Sequence, residues 1–147
     1  MIAVIQRVKH SSVSVKGEIK GSIKKGLNVL LGVVKGDTAA DCGILSKKIS
    51  DLRIFEDTNG KMNLSVKDIS GEILVISQFT LAADTKKGNR PSFTNAADPA
   101  DAKILYEKLI GLISAYGIKT QKGVFGADMT VEIINDGPVT IILDSCK

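Results

Sequence analysis

The chain has 147 residues, 44% hydrophobic and 24% charged, with a net charge of +4. That length suits one domain spanning residues 1–147, whose core needs neither disulfide nor metal. The longest apolar stretch, residues 29–34, is broken by glycine and far short of the ~20 residues of a membrane helix. No basic-then-apolar leader pattern opens the sequence, so a soluble, cytoplasmic protein without membrane contact is expected.

The N-terminal third predicts β structure. Residues 1–9 are rich in Ile and Val, residues 12–16 alternate as Ser-Val-Ser-Val-Lys, and Gly17 marks a turn into residues 18–23. Gly26 opens an apolar run, residues 27–34, that reads as a fully buried central strand. Asp37, Thr38 and Asp41 resemble a helix start with an acidic first turn. Ile44, Leu45, Ile49 and Leu52 then recur at near-helical spacing, which predicts a helix over residues 38–50.

Residues 53–55 return to strand, residues 57–60 form a turn by residue type, and Gly71 precedes a second buried strand over residues 72–79. Residues 82–97 lack periodicity and read as a long ordered loop, a feature often tied to function. Asp98-Pro99 starts a helix whose apolar face carries Ala102, Leu105, Leu109, Leu112, Ile113 and Tyr116, and Gly117 stops it. Met129, Val131 and Ile133 alternate with polar residues. Asn135-Asp136-Gly137-Pro138 then turns into residues 139–143. The order is mixed α/β, with too many consecutive strands for a doubly wound parallel sheet.

The scarce residues limit the chemistry. One histidine, His10, and two cysteines, Cys42 and Cys146, stand far apart without ligand spacing. A zinc site needs three or four protein ligands, so neither a metal nor another cofactor is expected. His10 reads as structural or surface-exposed, and the cysteines as free thiols rather than a disulfide. The mild basicity permits a phosphate-bearing partner without demanding one. Lys86, Lys87 and Arg90 form either a solvated basic loop or phosphate contacts. With no tryptophan and 4% aromatic residues, a base-stacking platform has little compositional support.

Two segments at strand ends carry candidate chemistry. In Ser77-Gln78-Phe79-Thr80-Leu81, hydroxyls and an amide follow an apolar strand. Ser77 and Thr80 either cap the strand end through local backbone bonds or rim a site for a small polar group. In Asn135-Asp136-Gly137-Pro138-Val139-Thr140, a Gly-Pro pair lies between β runs. Taken alone, such a turn is expected to be trans. A cis form would aim two carbonyl oxygens nearly together, as an acceptor for an ammonium group.

These two segments together resemble the D-aminoacyl-tRNA deacylase family. Ile5-Gln6-Arg7-Val8, Asp51 through Asp57, Gly60 through Ser65, Gly88 through Phe93 and Phe125 through Met129 also match, in family order. One departure is Ala82, where many members carry tyrosine. It touches neither main motif.

The resemblance implies a single domain of stacked β-sheets forming a barrel-like core with flanking helices. It further implies hydrolysis of the ester joining a D-amino acid, or mischarged glycine, to tRNA. Members are homodimers, and each site joins the Ser77–Leu81 loop of one subunit to a cis Gly137-Pro138 of the other. That pair excludes L-side chains. Arg7 is implied to hold the Gly-Pro loop, while Phe125 and Met129 line the pocket. Backbone amides around Phe79 and Thr80 steady the carbonyl, and the tRNA 2′-hydroxyl assists. The rival, a Thr80 nucleophile, lacks an evident side-chain base. A related hydrolase editing L-amino acids would not explain the two intact motifs. A non-catalytic RNA- or protein-binding domain leaves the polar residues at 77–80 without a role.

Overall fold

Strand β1 (Ile2–Val15) is the axis about which the chain is organised. In the computed structural model, residues 1–86 and 88–146 are described. Met1, Ala3 and Ile5 point into one core, whereas Val8 and Val13 point into a second. The sequence predicts two strands here. One continuous strand forms because the polar residue at the join has internal partners. The Ser11 hydroxyl is buried, 2.7 Å from the Glu132 carbonyl oxygen and 3.2 Å from Asn28 Oδ1.

β1 pairs antiparallel with β2 (Glu18–Ile23), with β3 (Gly26–Gly32) and, along its other edge, with β8 (Thr130–Asp144). β3 continues into β6 (Glu72–Ser77) and then β7 (Lys119–Lys122), both in parallel register. Ile73 and Val75 enter the first core, Leu74 and Ile76 the second. Burial on both faces accounts for the unbroken apolar run. The sheet curls until β2 approaches β7: a Cβ added to Gly21 would lie 2.9 Å from the Lys122 carbonyl oxygen. The second core fills this barrel-like interior.

The first core lies between the sheet and two helices, α1 (Ala39–Asp51) and α2 (Pro99–Ala115). Both helix starts follow the expected chemistry. Thr38 Oγ1 accepts from the Ala40 N–H, and Asp41 accepts from the Thr38 N–H at 2.8 Å. Asp98 accepts from the Ala100 N–H at 3.0 Å, with Pro99 at the first helical position. Such caps contribute about 1 kcal/mol each. Among the described residues no helix is long and apolar enough to cross a membrane.

Some sequence expectations need correction. The strand expected at residues 53–55 is β4 (Phe55–Glu56), which pairs with an unforeseen β5 (Met62–Leu64). β7 was also unforeseen. Its sequence, Lys-Thr-Gln-Lys, shows no apolar pattern because it is a short edge strand. The strand expected to reach residue 79 ends at Ser77, and a 3-10 turn, Phe79–Ala82, follows. The turn expected at residues 135–138 does not end the strand. It interrupts the β1–β8 ladder between Gln6 and His10, and pairing resumes on both sides.

Candidate active site

The chain leaves the sheet at the end of β6. The Gln78 N–H makes the last rung, to the Leu31 carbonyl oxygen at 2.7 Å. The 3-10 turn closes with Leu81 N–H to Gln78 O at 3.2 Å and Ala83 N–H to Thr80 O at 3.1 Å. As at any helix start, the first N–H groups have no carbonyl within the turn. Among the described residues, the Phe79 and Thr80 N–H groups have no acceptor at all. The turn rests on Gly32, where an added Cβ would meet Leu81 Cβ at 2.9 Å and Gln78 O at 3.1 Å.

Neither hydroxyl caps the local backbone. Thr80 Oγ1 accepts from Gln78 Nε2 at 2.5 Å, and Ser77 Oγ has no partner among the described residues. No carboxylate or imidazole bonds Thr80 among those residues. Ser77, Gln78 and Phe79 line a cleft of about 810 Å³, together with Phe125 and Met129. Tyr106 forms part of its wall. Its hydroxyl donates to the Val75 carbonyl oxygen at 2.8 Å, and its ring lies 5.6 Å from that of Phe125. Burial raises the Tyr106 phenol well above its ordinary range, so it stays a neutral donor. Tyr106 belongs to no motif and is not among the expected apolar-face residues, so its place in the wall is not legible from residue order. Phe93 and Lys35 were likewise missed as cleft residues, because they come from segments distant from the motifs.

The Gly137-Pro138 peptide bond is cis, unlike the trans turn expected from residue type alone. Gly137 has φ +142°, and Arg7 lies beside it. Arg7 is buried and donates from Nε to the Asp136 carbonyl oxygen at 2.8 Å and from Nη1 to the Ile54 carbonyl oxygen at 2.7 Å. Glu56, at 3.9 Å, and the Asp136 carboxylate, at 3.7 Å, add charge complementarity.

The cleft and the Gly-Pro segment are apart. Arg7, Thr80, Leu81, Gly137 and Pro138 do not line the cleft. Register shows why: Ser77 pairs with Leu31, Leu31 with Ala3, and Ala3 with Leu143. Ser77 is therefore level with Leu143, three strand spacings away, or about 14 Å across the sheet. Gly137 lies a further six residues back along β8.

The remaining candidates are peripheral. His10 is partly exposed, 3.4 Å from Glu132 and 3.2 Å from Ser22. Cys42 is buried and Cys146 exposed, and both are free thiols. Lys86 and Arg90 are exposed in the loop, while Lys87 lies outside the described residues.

The model of the family described as D-Tyr-tRNA(Tyr) deacylase matches residues 4–144. The chain belongs to that family. It is 63% identical to a D-aminoacyl-tRNA deacylase of Persephonella marina, over 99% of this chain and 98% of that protein. A D-aminoacyl-tRNA deacylase of Thermotoga petrophila is 56% identical over 100% of this chain and 99% of its own length. Among solved structures, one titled "c-Myc DNA Unwinding Element Binding Protein" superposes with a TM-score of 0.92 and 42% identity, over 98% of both chains. Another, titled as a probable eukaryotic D-amino acid tRNA deacylase, has a TM-score of 0.85 over 97% of both chains. At 14% identity it speaks for the deacylase fold alone.

Proposed function

We propose that this chain is a D-aminoacyl-tRNA deacylase that frees tRNA from D-amino acids and from mischarged glycine. Support comes first from its family and its full-length relatives, which bear that name. The structural observation that carries the chemistry is the Phe79 and Thr80 N–H groups, unpaired among the described residues, where β6 passes into the turn beside cleft-lining Ser77, Gln78 and Phe79. Preorganised amides of this kind stabilise the oxyanion that forms as an ester carbonyl is attacked, an effect worth about 3–4 kcal/mol per donor.

Attack itself needs a nucleophile and a base. The Thr80 hydroxyl accepts from Gln78 and has no basic partner among the described residues. We therefore assign the assisting role to the neighbouring 2′-hydroxyl of the substrate, with the protein supplying orientation and charge stabilisation. Chiral selection is assigned to Gly137-Pro138, whose carbonyls receive the α-ammonium group and leave no room for an L-side chain. The separation across β8, β1, β3 and β6 argues that this pair serves the cleft of a second copy, so the working unit is a homodimer. Arg7 holds the segment through Asp136, and Phe125 and Met129 wall the pocket.

The test is hydrolysis of one tRNA charged in parallel with D-tyrosine and with L-tyrosine, at sub-stoichiometric protein. Release of the D-amino acid with the L-ester spared is the expected result. Loss of both esters would make the protein an unselective esterase. Persistence of both would make it a binding module.

A further inference from the structure

The sequence contains four phenylalanines, two tyrosines and no tryptophan, yet two of the phenylalanines stand exposed at the same cleft. Phe55 is in the core and Phe125 is half-buried in the cleft wall. Phe79 is 59% exposed and Phe93 37%, their rings in edge contact with centroids 5.2 Å apart. A phenyl ring left in water forfeits the stabilisation that burial supplies, so a pair kept at a cleft mouth points to a ligand that covers it.

Phe93 directly follows Ser92, which exchanges backbone bonds with Asp84 at 2.7 and 2.9 Å. Exposed Lys86 and Arg90 lie between these two residues in sequence, and exposed Lys35 lines the same cleft. Aromatic faces among cations are the recognition chemistry of single-stranded nucleic acid, in which bases stack and phosphates meet the charges. The cleft, at about 810 Å³, is of a size for a single small ligand such as one aminoacylated nucleoside. The next nucleotide must leave through the mouth.

We propose that Phe93, backed by Phe79, stacks the base of the nucleotide preceding the terminal adenosine, with Lys86 and Arg90 facing the adjoining phosphates. This rests on the substrate being an aminoacyl-tRNA. It assigns Phe93 to substrate length: the ring adds most to binding when a second nucleotide is present.

The experiment compares D-tyrosyl-tRNA with the 3′-O-D-tyrosyl ester of adenosine, using the wild type, Phe93→Ala and Phe93→Leu. Both variants are expected to raise KM for the tRNA about tenfold more than they raise it for the adenosine ester, as loss of one base stack implies. Leucine keeps apolar bulk and loses the ring face, so recovery in Phe93→Leu would overturn stacking in favour of packing. Equal losses on both substrates would overturn it too, as would a fall in molar mass by light scattering, which would make Phe93 a contact between copies. Wild-type inactivity on both esters would defeat the deacylase assignment itself. A variant indistinguishable from an active wild type would defeat only the stacking role.

Discussion

Arg7 Nε donates to the Asp136 carbonyl oxygen, joining residues 129 positions apart in the chain. Nη1 of the same guanidinium satisfies the Ile54 carbonyl oxygen. One buried side chain therefore fastens both the segment before Gly137-Pro138 and the entry to β4, where the β1–β8 ladder is interrupted.

Arg7→Met removes both donors and leaves the buried Ile54 carbonyl and the part-buried Asp136 carbonyl unpaired. A cost of about 2–6 kcal/mol is expected, from about 1–3 kcal/mol for each unsatisfied group. Arg7→Lys should recover only part of this, because an ammonium lacks the planar fork that reaches two carbonyls. Urea unfolding of the three proteins checks the order.

Gly137→Ala should lose more activity than one methyl group suggests. The added Cβ would lie 2.7 Å from the Val139 nitrogen and 2.9 Å from Val139 Cγ2, at a φ of +142° that L-residues rarely adopt. Displacement of about 1 Å in a site can cost ~100-fold in rate. D-tyrosyl-tRNA hydrolysis falling by that order, in a protein with native circular dichroism, is the expected outcome. Near-normal turnover would remove this segment from the site.

Thr80→Ala should retain activity within about tenfold, whereas removal of a true nucleophile costs far more, ~10⁶-fold in a serine protease. Single-turnover rates distinguish the two. The hydroxyl bonds only Gln78 among the described residues, and the backbone N–H survives the substitution.

Gly32→Ala tests the turn rather than its side chains. A methyl group would press on Leu81 Cβ and the Gln78 carbonyl oxygen, shifting the Phe79 and Thr80 amides. A fall in kcat with KM little changed is expected, since oxyanion stabilisation acts mainly in the transition state. Steady-state kinetics on D-tyrosyl-tRNA read that division.

Glu72 contributes to the pH dependence of stability. Hydrogen bonding from Lys119, at 2.7 Å, holds its carboxyl below the ordinary value of 4.5, with the Lys24 N–H adding a further bond. A depressed folded-state pKa gives stability that is present above the unfolded pKa and lost as pH falls through the folded one. Glu72→Gln should therefore be less stable than wild type at pH 7 and approach it near pH 3. Urea midpoints at the two pH values decide this.

Local chemistry made much of this protein legible from its residues. Thr38 with Asp41, and Asp98 with Pro99, mark their helix starts because a cap depends on neighbours a few positions away. The runs at residues 27–31 and 73–76 declare strands buried on both faces, and the two polar segments declare the family. Other features depend on residues far apart. β7 is visible only through its parallel register with β6, since edge strands need no apolar alternation. The join of β1 across Ser11 depends on Glu132 and Asn28 arriving from other strands. The cleft gathers Ser77, Phe93, Tyr106 and Phe125 from four segments. The distance between Ser77 and Gly137 follows from strand order, because spacing across a sheet is set by which strands pair and not by separation along the chain.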